Sequence, residues 1–137
     1  DADLKAIAET VMGVPSIRPI KLEELTVVTG DHVTPTASVR LNVNGKILIE
    51  AATGIGPVDA AMNAIRKAVS AIEPIRLEEY HVNAITGGTD AVVEVMVKLR
   101  KGDRIITAMG AHGDIVMASV EAMISGMNVL MSNSKRA

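Results

Sequence analysis

Cysteine, phenylalanine and tryptophan are absent from this chain, and Tyr80 is its single tyrosine. Without cysteine there is no disulfide, no thiolate metal site and no cysteine nucleophile, which fits a cytoplasmic setting. There is no basic block and no set of stacking aromatics, and a formal charge of −2 is spread over mixed acids and bases. That combination speaks against nucleic-acid binding. No apolar run approaches the roughly 20 residues of a membrane span, and no signal-peptide pattern is present. The sequence opens on Asp1 rather than Met, which reads as a piece of something longer. In a chain so poor in aromatics, Tyr80 is a residue to follow.

What is present is aliphatic. The 137 residues are 48 % hydrophobic, enough for one domain with a real core. Val, Ile, Leu, Ala and eight Met supply its volume, methionine filling irregular gaps. Residues 1–12, "DADLKAIAETVM", set Leu4, Ile7, Ala8 and Val11 at helical spacing, and Gly13 to Pro15 end the segment. A helix and loop over 1–20 is therefore expected ahead of a main domain over 21–137. "KLEELTVVTG" (21–30) reads as a strand. "TASVRLNV" (36–43) alternates, with Ala37, Val39, Leu41 and Val43 on one face. Asn44-Gly45 follows, the pair that a type I′ hairpin turn favours, and "KILIEAAT" (46–53) is the return strand. After Gly54-Ile55-Gly56 comes a helix from Pro57 to about Ile72, with Val58, Ala61, Ile65, Ala68 and Ile72 on one face.

The same order then repeats. "LEEL" (22–25) returns as "LEEY" (77–80), "ASVRLNV" from Ala37 as "AVVEVMV" from Ala91, and Lys101-Gly102 stands for the hairpin Asn-Gly. Gly56 aligns with Gly113, which sets Ile115, Ala118, Ala122 and Val129 on Val58, Ala61, Ile65 and Ile72. The expectation is an α+β fold of two βββα units, about 21–73 and 74–131, related by a pseudo-twofold axis. Each antiparallel sheet has its apolar face covered by a helix. Edge strands of such small sheets invite pairing, which points to a dimer.

Each unit turns a glycine corner into a helix. A helix start leaves about four backbone N–H groups without intrahelical partners and carries partial positive charge. Gly56 suits the N-cap and Pro57 the first helical position, so Val58, Asp59 and Ala60 present their amides to whatever sits above. The bland role of this corner is a tight turn whose amides meet water. Its functional role is to hold a carboxylate, with Asp59 pairing an ammonium, and those two charges together describe a free α-amino acid. A nucleotide is not expected, because "GIGPVD" lacks the third glycine of the dinucleotide fingerprint and follows a hairpin strand. At the second corner Asp114 should cap its own helix. Tyr80 is either a half-buried sheet residue or the wall of a small apolar pocket with Leu77, Ala84, Ala91 and Val93. No catalytic constellation is visible: His32, His81 and His112 share no metal or nucleophile–base spacing, and Ser119 has no local partner motif.

Three motifs, "GIGPVDAAMNAI", "LEEYHVNAITGGTDAVVEVMV" and "DIVMASVEAMISGMN", kept in order from about Lys21 to Val129, resemble the C-terminal regulatory domain of 2-isopropylmalate synthases and citramalate synthases. Residues 1–12 resemble the tail of the linker subdomain that precedes it. The resemblance implies a parent acyltransferase that condenses acetyl-CoA with a 2-oxo acid on a metal-dependent TIM barrel, none of which lies in these 137 residues. This stretch is therefore not expected to be an enzyme or to hold a cofactor. The resemblance also implies a homodimer that binds an end-product amino acid and thereby inhibits the distant catalytic domain: leucine in isopropylmalate synthases, isoleucine in citramalate synthases. Small Ala84 and Ala91 lean the expectation toward leucine. Carried over by motif, the effector pocket comprises Gly54, Gly56, Val58, Asp59 and Ala60 around the amino and carboxylate groups. Leu77, Tyr80, Ala84, Ala91 and Val93 form the apolar wall, and Gly113 and Ile115 come from the second unit. Many members have Asn between the two glycines, where this chain has Ile55, and Ile55 is given no role.

Overall fold

The structure, a computed structural model, describes residues 19–84 and 91–134, with side chains to 131. The helix expected over 1–12 lies outside these residues. Eight elements follow one another: β1 (Ile20–Val28), β2 (Thr36–Val43), β3 (Lys46–Thr53), α1 (Pro57–Ser70), β4 (Arg76–Ala84), β5 (Val93–Lys101), β6 (Arg104–His112) and α2 (Ile115–Ser134). They form two antiparallel three-stranded sheets, ordered β1-β2-β3 and β4-β5-β6. Two βββα units in an α+β fold are what the sequence pattern calls for.

The alternation in β2 buries Ala37, Val39, Leu41 and Val43, and that in β5 buries Val95, Val97 and Leu99. Against these faces α1 lays Ala60, Ala61, Ala64, Ile65, Ala68 and Val69, while α2 lays Ala118, Val120, Ala122, Met123, Met127 and Leu130. Each fully buried large aliphatic side chain is worth about 1.5–3 kcal/mol, so this layer of branched chains and methionines does the work that aromatics do elsewhere. The helices also touch each other, and α2 reaches across to β1 of the first unit. Ile72, expected on the buried face of α1, instead lies beyond the helix and is exposed.

The turns follow their residue types. Asn44 and Gly45 both have positive φ, 54° and 89°, as a type I′ turn requires. The second hairpin turns on Gly102-Asp103 rather than on Lys101-Gly102, because β5 runs through Lys101. There only the glycine has positive φ, the pattern of a type II′ turn.

Strand register also corrects the internal alignment. Leu22 faces Leu41, Leu77 faces Leu99, and each first strand is bulged just after that leucine. The first strands thus correspond at a separation of 55 (77 − 22), whereas everything from the second strand onward corresponds at 58 (99 − 41, and 115 − 57 for the helix starts). Ala37 matches Val95 rather than Ala91, and Gly56 matches Asp114 rather than Gly113. Three extra residues between the first two strands of the second unit account for the drift.

Candidate functional site

The first corner is built by packing before it is built for binding. Gly54 ends β3 with its N–H on the carbonyl of Pro35, 3.1 Å away. A Cβ on Gly54 would come within 2.8 Å of Ala60 Cα and of the Asp59 carbonyl carbon, so this glycine lets the first turn of α1 close onto the strand end. A Cβ on Gly56 meets nothing within 4 Å. Gly56 is the N-cap in extended backbone, Pro57 follows it, and no side chain caps the helix. Its carbonyl accepts the Ala60 N–H at 2.9 Å. The expectation that Ala60 offers a free amide is therefore wrong, because the cap carbonyl takes it as the first intrahelical bond. The Val58 and Asp59 amides have no partner among the described residues. Asp59 is exposed, and its Oδ2 accepts the Ile55 N–H at 2.9 Å, which swings the carboxylate back over the corner. The Ile55 side chain is 95 % exposed, so this residue serves the corner only through its backbone.

The second corner has another economy. Asp114 Oδ1 accepts the Val116 N–H at 2.8 Å, its carbonyl accepts the Ala118 N–H at 2.9 Å, and its own N–H donates to His112 Nδ1 at 3.0 Å. As its sequence position predicts, this helix start is self-capped. The two equivalent helix starts differ in one contact: a side chain, Asp114, takes the Val116 amide of α2, whereas no side chain caps α1.

The other expected site residues fall into two groups. Leu77 lines an open groove of about 770 Å³ that it shares with Thr53, Asn63, Arg66, Lys67 and Arg76. At the far end of the second sheet, Ala84 pairs with Val93 and Val93 with His112, while a Cβ on Gly113 would lie 3.9 Å from the Ala91 carbonyl. Ala84, Ala91, Gly113 and Ile115 are exposed there, and Val93 is half-buried. No hydrogen bond joins this group to the first corner among the described residues.

Tyr80 stands between the groups. It is half-buried opposite Val97, and its hydroxyl lies 2.6 Å from Ser119 Oγ on α2. Ser119 Oγ spends its own hydrogen on the Ile115 carbonyl at 2.8 Å, so Tyr80 is the donor of the pair. The equivalent positions in the first unit are Leu25 and Ala61, an apolar pair. The sequence reading weighs Ser119, which is fully buried, only as a nucleophile, and does not single out Asn128, 5 % exposed. Their signal was present: each is a polar residue at an apolar position of "DIVMASVEAMISGMNVLM".

Electrostatics set the outer face apart from these groups. Glu79 accepts hydrogen bonds from His81 at 3.1 Å and Lys98 at 3.0 Å, and these hold its carboxyl below the usual carboxylate range. Among the described residues no three His, Asp or Glu converge to hold a metal ion. No described helix is long and apolar enough to cross a membrane.

Comparison with known proteins finds relatives along nearly the whole chain. The family model described as the LeuA allosteric (dimerisation) domain matches residues 1–131. A protein of Methanothermobacter thermautotrophicus, provisionally named (R)-citramalate synthase CimA, is 56 % identical over 135 residues, 98 % of this chain and 27 % of its own length. The (R)-citramalate synthase CimA of Methanocaldococcus jannaschii is 53 % identical over 134 residues, 96 % of this chain and 27 % of its own. The 2-isopropylmalate synthase of the same organism is 49 % identical over 138 residues, 99 % of this chain and 26 % of its own. The chain spans about a quarter of the length of these curated relatives.

Proposed function

Because this chain belongs to the family of LeuA allosteric (dimerisation) domains, the C-terminal regulatory domain of citramalate and 2-isopropylmalate synthases, we propose that it binds a branched-chain amino acid and through it restrains the synthase that carries it. The observation that carries this reading is the first corner: two unpartnered amides at the start of α1, with the Asp59 carboxylate held beside them. The amides and the helix dipole receive the α-carboxylate, and Asp59 receives the ammonium. Gly54 and Gly56 keep the corner low, while Val58 and Ala60 shape its floor. Tyr80, Ala84, Ala91, Val93, Gly113 and Ile115 supply the apolar wall, while Leu77, at the opposite end of β4, stands apart from it.

Isoleucine is the effector we favour, on the greater identity to the two citramalate synthases than to the 2-isopropylmalate synthase. The parent reaction is then condensation of acetyl-CoA with pyruvate. Leucine is the second reading, supported by the small Ala84 and Ala91 side chains. The synthase is a homodimer in this account. The family description supports that, as do the outer sheet faces, which leave Ile47, Ile49, Ile105 and Met109 exposed.

The test is Asp59→Ala in the synthase, read by calorimetric titration and by oligomeric state. Losing a hydrogen bond between charged groups costs about 1.5–3 kcal/mol, roughly 10- to 100-fold in affinity, and the dimer should persist. Unaltered binding would refute the ammonium role. A wild-type protein that dimerises and binds no branched-chain amino acid would leave a dimerisation module only.

A further inference from the structure

The described chain enters the domain at Pro19-Ile20, and this peptide is held from both units. The Pro19 carbonyl accepts the Asn44 N–H of the first hairpin turn at 2.8 Å. Asn128, on α2 of the second unit, holds Ile20 twice: its Oδ1 accepts the Ile20 N–H at 2.7 Å, and its Nδ2 donates to the Ile20 carbonyl at 3.2 Å. Both residues are buried, Ile20 at 1 % and Asn128 at 5 % exposure. β1 is an edge strand of its sheet, so without Asn128 these two peptide groups would face a neighbouring helix unpaired.

The contact has no counterpart in the repeat. At the separation of 58 that relates the helices, Asn128 corresponds to Ser70, which is exposed at the end of α1. The first unit likewise lacks the Tyr80–Ser119 pair. Helix α2 thus has two polar attachments that α1 has not, nine residues apart or roughly 13–14 Å along the axis. Its N-terminal end touches Tyr80 and begins at Ile115, two residues after Gly113, and all three are in the proposed effector wall. Its C-terminal half grips the first residue of β1, where the polypeptide arrives from the remainder of the synthase.

We propose that α2 transmits the effector signal, with Asn128 as the positioning residue that passes a displacement of the helix to the Pro19-Ile20 peptide. This rests on the effector reading above. A well-packed helix moves as a body, and a ligand shifts an equilibrium only by its different affinity for two arrangements. Occupancy at the Tyr80–Ser119 end therefore biases where α2 sits, and the Asn128 amide fixes Ile20 to that position.

The experiment uses the full-length synthase with isoleucine and then leucine, measuring effector binding by calorimetry and inhibition of turnover separately. In Asn128→Ala, binding and uninhibited turnover should be retained, while the concentration needed for half-inhibition rises about tenfold or more, within the usual range of coupling between sites. Equal inhibition of the variant and the wild type overturns the proposal. A merely structural asparagine would lower binding and inhibition together, and that result also overturns it. Should Asn128→Ala not fold, hydrogen exchange of the wild type decides: the Ile20 amide should exchange several-fold more slowly with effector bound, and an unchanged rate overturns the proposal. A wild type that binds neither amino acid refutes the effector reading, and this inference with it. A wild type that binds and is inhibited, beside a variant equally inhibited, refutes this inference alone.

Discussion

Gly54 and Gly56 look interchangeable in "TGIGPVD", yet the space around them assigns opposite roles. At Gly54 a Cβ would run into the backbone of Asp59 and Ala60, so Gly54→Ala forces the strand end off the helix. The expected loss is about 1–3 kcal/mol, the usual cost of overpacking, measured by denaturant unfolding. At Gly56 the space is open, and Gly56→Ala should change stability by less than about 1 kcal/mol, a difference of N-cap preference alone. Effector affinity should nonetheless fall, because the added methyl stands where the carboxylate approaches. Glu79 gives a pH signature of its own. His81 and Lys98 lower its carboxyl in the folded state, so its contribution to stability is present above the ordinary carboxylate value and is lost as the pH falls through the lowered one. Comparing the wild type with Glu79→Gln, the advantage of the wild type in thermal unfolding should be complete at neutral pH and vanish in acid. An advantage that grows in acid would reverse the sign of this account.

At the scale of elements, the two helix starts are a natural pair of controls. Asp114→Ala removes the acceptor of the Val116 N–H and should lower stability by about 0.5–2 kcal/mol, a fall in Tm of roughly 2–8 °C. The elements were largely legible in the sequence. Alternation over 36–43, the Asn44-Gly45 turn and Pro57 after Gly56 are local signals, and they placed β2, β3 and the start of α1. Register between the units was not legible. Stretches of Val, Ala and Met slide past one another with nearly equal similarity, and only the pairing of Leu41 with Leu22 and Leu99 with Leu77 fixes the correspondence. Ala60 shows the same limit on a smaller scale, since the sequence offers three open amides, of Val58, Asp59 and Ala60, where the cap carbonyl has already taken the last. Tyr80–Ser119 and Ile20–Asn128 join residues 39 and 108 positions apart. No local pattern announces such pairs beyond a polar residue where an apolar one is due.

As a whole molecule, the domain is a duplication whose halves have diverged in their polar contacts. The first unit keeps an uncapped helix start beside a carboxylate. The second caps its own helix and places Ser119, bonded to Tyr80 of β4, and Asn128, bonded to Ile20, along α2. Packing holds the halves together through α1, α2 and the start of β1, so a ligand at one place can be felt at the other without a new fold. The central claim is that this asymmetry serves a branched-chain amino acid. Calorimetric titration of the full-length synthase with isoleucine, leucine and valine in turn tests it most directly. The account predicts saturable binding of isoleucine, weaker binding of leucine, and loss of the isoleucine signal in Asp59→Ala. The absence of saturable heat from all three, with a folded dimer in the cell, would contradict it.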